Sequence, residues 1–164
     1  MSKVSLPREE LVDSILAKYA NTVYRLAFAK TKNSYDAEDI LQEVFMKYIK
    51  TNMEFKSDEH IKAWLLKVTI NCSKNFLTSA WFRRTTALED NIYTEMEEKT
   101  DVYKYVLKLS SKYRVVIHLF YYEDLPTAEI AEVLNIKEAT VRSQLHRARK
   151  ILRENMKGDE DFEF

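Results

Sequence analysis

Residues 125–152 have the sequence LPTAEIAEVLNIKEATVRSQLHRARKIL, which predicts a short helix, a three-residue break and a longer helix. The first helix spans Thr127–Leu134 and has a small residue, Ala131, where a second helix would cross it. Asn135 follows directly, and asparagine adopts the left-handed conformation that such a turn requires. The pattern therefore predicts a helix-turn-helix.

The second helix of this motif has an apolar side and a polar, basic side. The apolar residues that we expect to face inward are Val141, Leu145, Ala148 and Leu152. The residues that we expect to face outward are Arg142, Ser143, His146, Arg147 and Arg149. Arginine binds guanine or phosphate bidentately and serine contacts either group, so this face is typical of a helix that enters the major groove of DNA. The alternative is a helical hairpin whose surface is merely rich in arginine.

The composition extends the helical prediction to the whole chain. Among 164 residues there are 1 Gly and 2 Pro, against usual shares of about 7% and 5%. Such a chain forms few tight turns and has no Gly-rich phosphate loop, so we expect an all-α fold. The single cysteine, Cys72, excludes an intramolecular disulfide and a multi-cysteine metal site. No long apolar run is present, so we expect no membrane insertion and a cytoplasmic location.

Four or five helical stretches are predicted before Arg84, and two more, at about Asp101–Leu109 and Ser111–Tyr122, directly precede the helix-turn-helix. Apolar residues between Ile40 and Ile49 form one stripe, with Asn33, Ser34 and Asp36 just before it as candidate helix-start residues. A second stripe from Ile61 to Phe76 predicts a helix over about Asp58–Trp81.

Charge is segregated along a chain whose net charge is zero. Residues 34–45 contain four acids and no base, whereas residues 137–157 contain seven Lys or Arg and two acids. The weakly patterned, acidic residues 85–100 indicate a linker, and residues 158–164 an acidic tail. We therefore predict two small helical domains, at 1–84 and 101–157, and partners of differing charge.

Three stretches together resemble bacterial RNA polymerase sigma factors of the sigma-70 family. Residues 125–152 resemble region four, which binds the minus-thirty-five promoter element. Residues 36–50, DAEDILQEVFMKYIK, resemble the region two signature, and residues 60–77, HIKAWLLKVTINCSKNFL, resemble the part that opens and recognises the minus-ten element. Two such regions joined by a short linker are similar to the compact extracytoplasmic-function (ECF) class.

The resemblance implies three sets of binding residues. The clamp of the largest catalytic subunit of core RNA polymerase would be bound by Asp39, Gln42 and Glu43. Minus-ten DNA would be bound by Phe55, Lys56, Asn71, Lys74 and Asn75, with Asn71 lining a pocket for an extruded base. Minus-thirty-five DNA would be bound by Arg142, Ser143, His146, Arg147 and Arg149. Many members are restrained by an anti-sigma factor, which the resemblance adds to the candidate partners.

The helix-turn-helix departs from the family pattern at four places. Ala139 and Asn135 stand where the family often has Gly, and Gln144 stands where it often has Arg. Pro126 and Thr127 replace a commoner Ser-Tyr pair at the start of the first helix. None of these removes a structural requirement, but we expect Gln144 to weaken phosphate contact or to alter sequence preference.

Two other functions remain open from the sequence. One is a stand-alone helix-turn-helix transcriptional regulator, and the other is a sigma-like protein that sequesters a partner. An enzyme is disfavoured because we find no nucleophile–base pair, metal-ligand cluster or phosphate loop. Asp39 and Glu43 lie four residues apart without a histidine beside them, so we expect neither catalysis nor a metal there. We also expect no cofactor.

Overall fold

The computed structural model describes residues 8–80 and 102–158, and within these ranges the only regular elements are helices. The helices are α1 (Arg8–Thr31), α2 (Ser34–Lys50), α3 (Asp58–Ala80), α4 (Tyr103–Lys108), α5 (Ser111–Ile117), a π-turn (His118–Tyr122), α6 (Thr127–Leu134) and α7 (Glu138–Lys157). The predicted all-α class is confirmed. The predicted linker and all of the tail beyond Gly158 lie outside the described residues.

Helices α1, α2 and α3 pack around one hydrophobic cluster. Helix α2 begins as the sequence predicts, because the Asn33 side chain accepts a hydrogen bond from the backbone N–H of Asp36 at 3.0 Å. The stripes on α2 and α3 bury Ile40, Val44 and Leu65 against α1. Cys72 is fully buried in the same cluster, as expected for a small core residue.

Helices α4 to α7 form the second half, which contains the helix-turn-helix. Helix α6 has the predicted bounds and ends at Asn135, whose φ of 53° and ψ of 49° are left-handed. The N–H of Ile136 then donates to the carbonyl of Ala131 at 3.0 Å, which completes a Schellman motif. This turn directs α7 across α6, so the predicted motif is confirmed.

The helix predicted over 111–122 is present, but its last five residues adopt a π-helical conformation. The wider turn places His118 and Leu119 inside, while Tyr121 remains exposed. Asp124, with a φ of 54°, ends this segment before α6.

The two halves share buried residues. Leu26 of α1 and Leu66 and Ile70 of α3 belong to the hydrophobic cluster of α4–α7, where they pack with residues such as Val116 and Leu119. Helix α1 lies against α5, and α3 lies against α6. In the described part of the chain, the two halves therefore pack against each other in a closed arrangement.

Candidate nucleic-acid interface

The outward face of α7 carries the basic side chains that the sequence singles out. Arg142, Ser143, His146 and Arg147 are exposed, whereas Val141 and Leu145 are buried. Arg142 is held in place by Glu138, because Nη1 of Arg142 lies 3.1 Å from Oε1 of Glu138. The Thr127 hydroxyl donates to the same Glu138 oxygen at 2.9 Å. This chain of contacts connects the start of α6 to the basic face of α7.

A cleft of about 390 Å³ lies beside this face, between the start of α5 and the first half of α7. Ser143 and Arg147 line the α7 side, and Lys112 and Tyr113 line the α5 side. A hydrogen bond from Arg147, together with nearby Lys112, lowers the pKa of the Tyr113 hydroxyl. The cleft thus presents two cations and several hydroxyl groups, which suits phosphate oxygens.

Three residues of this cleft, Lys112, Tyr113 and Thr140, are not identifiable as binding residues from the sequence, and Gln144 is identifiable there only as a departure from the family pattern. In the sequence, Lys112 and Tyr113 are recognisable only as a basic residue next to an aromatic one, directly after two serines. Only the packing of α5 on α7 shows that this pair lies beside Ser143 and Arg147.

Arg149 lies on another side of α7. Its Nε donates to the Tyr121 hydroxyl at 2.6 Å, and its guanidinium stacks over the rings of Phe120 and Tyr121 at 5.3 and 5.6 Å. Six residues beyond Ser143, it is about 120° away around the helix. The structure therefore does not bring Arg149 together with Ser143 and Arg147.

The acidic face of α2 is exposed at all three predicted positions. Asp39, Gln42 and Glu43 are open to solvent, and Phe45 is buried beneath them. Glu43 pairs with Lys47 one turn later at 3.7 Å, an exposed contact of small energetic value. In the described chain, α2 packs mainly against α1 and α3 and not against the second half.

The loop between α2 and α3 is ordered by aromatic and histidine contacts. Phe55 packs edge-on against Trp64 at 5.6 Å and against His60 at 5.2 Å. The backbone N–H of Lys56 donates to Nδ1 of His60 at 3.1 Å. The side chain of Lys56 is exposed to solvent beside the start of α3.

Asn71, Lys74 and Asn75 are exposed on the same face of α3 as Trp64. Asn71 is seven residues beyond Trp64, which is about 10 Å along the helix axis. The predicted minus-ten residues therefore form a line along one face, with Phe55 and Lys56 at one end. Asn71 is not among the residues that line the cleft beside Phe55 and Lys56, and the pocket for an extruded base stays a prediction.

Among the described residues, no group of three His, Cys, Asp or Glu side chains is arranged to hold a metal ion. Burial raises the pKa of the Cys72 thiol, as does the nearby Glu43 carboxylate. Trp64 and Phe76 are partly buried against the core, as their position on the apolar stripe predicts. None of the helices in 8–80 and 102–158 has the length and apolar character needed to cross a bilayer.

Comparisons with known proteins find matches for both halves of the chain. The family model described as Sigma-70 region 2 matches residues 15–83, and that described as Sigma-70, region 4 matches residues 99–152. The sigma factor SigV of Bacillus subtilis (strain 168) is 29% identical over 150 residues, which cover 87% of this chain and 89% of SigV. The ECF sigma factor SigW of the same strain is 28% identical over 159 residues, with 85% of each chain covered.

The fold is also similar to that of a solved sigma factor, RpoE from Bartonella quintana in complex with the anti-sigma factor NepR. The TM-score is 0.68 at 21% identity, over 90% of this chain and 98% of that chain.

Proposed function

Because the chain belongs to the sigma-70 family, in its ECF class, we propose that its two charged surfaces divide the work of promoter recognition and transcription initiation. Like other sigma factors it acts by binding and is not an enzyme. One observation carries the division of work: a single chain exposes an acidic face on α2 and a basic face on α7.

The acidic face is proposed to bind core RNA polymerase. Asp39, Gln42 and Glu43 would dock on the clamp of the largest catalytic subunit. Two carboxylates and an amide within one helical turn present acceptors to a basic partner surface. Their exposure in the closed chain supports this role, because the partner would find them without any rearrangement.

The exposed face of α3 is proposed to bind the minus-ten element. The phosphates of a single strand seek cations such as Lys56 and Lys74, and its bases stack on aromatic rings. The amide groups of Asn71 and Asn75 would hydrogen-bond base edges. The ordered Phe55–Trp64 contact supports a fixed platform at one end of this line.

The basic face of α7 is proposed to bind the minus-thirty-five duplex through Arg142, Ser143, His146 and Arg147. The first half of α7 would enter the major groove, and the cleft beside Tyr113 would take a backbone phosphate. Arg149 is proposed as a peripheral phosphate contact only, because its guanidinium would first have to leave Tyr121.

The domain boundaries are likewise a proposal: a region two domain at 1–84, a linker at 85–100, a region four domain at 101–157 and an acidic tail at 158–164. The two separate family matches support this division. An anti-sigma factor is a further proposed partner, since the similar RpoE is known in complex with one. A protein that works on polymerase and promoter DNA would act in the cytoplasm.

A pair of double variants tests the division of work. Asp39→Asn with Gln42→Ala should abolish binding to core polymerase and leave the helical circular dichroism unchanged. Arg142→Ala with Arg147→Ala should keep core binding and lose promoter selectivity. If both double variants bind core polymerase normally and fail only on DNA, the protein is a stand-alone regulator instead.

A further inference from the structure

An apolar groove of about 390 Å³ lies between α4, the π-turn and the second half of α7. Val106 of α4 and Leu152 and Met156 of α7 contribute apolar side chains to its walls. Tyr121 at its edge is 51% exposed, so part of this surface is open to solvent. Leu152 is nine residues beyond Ser143 and therefore about 180° away around the helix. The groove is thus separate from the proposed DNA-binding face, and an exposed apolar surface of this kind is typical of a binding site.

Positive charge borders this groove. Arg149 and Arg153 lie one turn apart on its α7 wall, and both side chains are exposed. Among the described residues that line the groove there is no acid. The groove therefore fits an occupant that combines apolar rings with negative charge, since complementary charges fix the register of a contact.

The chain itself has a segment of this composition shortly after α7. Residues 159–164, which lie outside the described residues, have the sequence DEDFEF. Four of these six residues are acids, and the other two, Phe162 and Phe164, are aromatic. Phe162 stands between Asp161 and Glu163, so an acid flanks its ring on either side along the chain. The segment therefore complements the groove in both apolar character and charge.

The segment is long enough to reach the groove. Helix α7 ends at Lys157, and Met156 already lines the groove. Phe162 is four residues beyond Gly158, and an extended chain of that length spans up to about 14 Å. Leu152 is six residues before Gly158, which is about 9 Å back along the helix axis. The ring of Phe162 can therefore return to the level of Leu152.

We propose that residues 159–164 dock in this groove of their own chain, with the ring of Phe162 against its apolar walls and the neighbouring acids beside Arg149 and Arg153. Because the segment is joined to α7, its effective concentration at the groove is on the order of millimolar, so weak contacts suffice to hold it. The docked segment covers the apolar groove and leaves the first half of α7 open. The inference therefore goes beyond the proposed function and does not depend on it.

Photocrosslinking in the full chain tests this contact. The photoreactive amino acid p-benzoylphenylalanine takes the place of Phe162, the purified protein is irradiated, and the crosslinked residues are identified by mass spectrometry of its peptides. We expect crosslinks within one chain to Val102 or Val106 of α4, on the wall of the groove opposite α7. Crosslinks to Met156 are not counted, because Met156 is only six residues away along the chain.

Charge variants test the pairing at the border of the groove. Arg153→Glu should lower the yield of crosslinks to α4 by about two- to fivefold, the range that exposed ion pairs provide. Adding Asp161→Lys to Arg153→Glu should restore the yield, because the two charges are then exchanged. Lys150→Glu is the matched control, since Lys150 is exposed on α7 without lining the groove, and it should leave the yield unchanged. Circular dichroism confirms that each variant is folded.

Absence of crosslinks to α4 would overturn the proposal, as would an equal yield in buffer and in urea. An equal loss of yield in Arg153→Glu and Lys150→Glu would also contradict it, because the effect would then be one of net charge. Crosslinks between two chains, seen as a dimer on a denaturing gel in place of the product within one chain, would assign the groove to a second copy. These measurements use the free protein and need neither polymerase nor DNA, so their failure is distinguishable from a failure of the proposed function.

Discussion

Replacing Asn135 by alanine tests the turn on which the helix-turn-helix depends. Asn135 has a φ of 53° and is exposed, so its side chain buries nothing that a smaller residue would lose. A left-handed conformation costs an ordinary L-residue about 1–2 kcal/mol, and asparagine is among the residues that tolerate it best. We therefore expect Asn135→Ala to destabilise the protein by about 1 kcal/mol.

That loss is measurable by thermal unfolding. For a chain of this size, about 1 kcal/mol corresponds to a fall in Tm of about 2–4 °C. Asn135→Gly should stay near the wild-type Tm, because glycine avoids the left-handed strain but adds backbone entropy to the unfolded chain. Lys137→Ala is the matched control, since Lys137 is exposed with a φ of −71° and should change stability by less than about 0.5 kcal/mol.

The same substitution has a functional consequence. If the turn holds α7 at its angle to α6, Asn135→Ala should also weaken the binding of holoenzyme to a minus-thirty-five duplex. Equal Tm values for Asn135→Ala, Asn135→Gly and the wild type would refute the argument that a left-handed turn residue carries this cost.

Three further predictions concern the other surfaces. Arg147→Ala should weaken the affinity of holoenzyme for promoter duplex by about 1–3 kcal/mol, measured by fluorescence anisotropy across a salt series. Asn71→Ala should reduce permanganate reactivity of the minus-ten element within the holoenzyme complex, yet leave the affinity for a minus-thirty-five duplex unchanged. The Cys72 thiol should be alkylated by iodoacetamide far more slowly in the native protein than in urea at pH 8, because burial raises its pKa and blocks access.

Each of these has an outcome that would contradict it. A wild-type affinity and salt slope for Arg147→Ala would remove Arg147 from the interface. Normal minus-ten opening by Asn71→Ala would show that the exposed amide on α3 is not used. Equal alkylation rates in buffer and in urea would mean that Cys72 is not in a closed core.

The sequence predicted those features that depend on neighbouring residues. The Asn33 cap, the left-handed Asn135 and the bounds of α6 follow from local backbone chemistry, and all three are present. The exposed residues of α2 and of the first half of α7 follow from helical periodicity. Arg149 shows the limit, because its contact with Tyr121 joins residues 28 positions apart.

The features that the sequence did not predict depend on packing between distant segments. In the sequence, Arg114 is one more base in a charged stretch. Its role depends on its hydrogen bonds to the carbonyls of Ala29 and Lys30 of α1, which lie 85 and 84 positions earlier in the chain. Lys112 and Tyr113 become part of the DNA-facing cleft only when α5 lies against α7. The π-turn at His118–Tyr122 has no local signal that distinguishes it from ordinary helix.

Run-off transcription with purified core RNA polymerase on a pooled promoter library, with and without this protein, tests the central claim most directly. We expect new transcripts that depend on the protein and start downstream of two shared, spaced sequence motifs. Absence of such transcripts, together with no binding to core polymerase, would contradict the assignment of α2 and α7 to promoter-directed initiation.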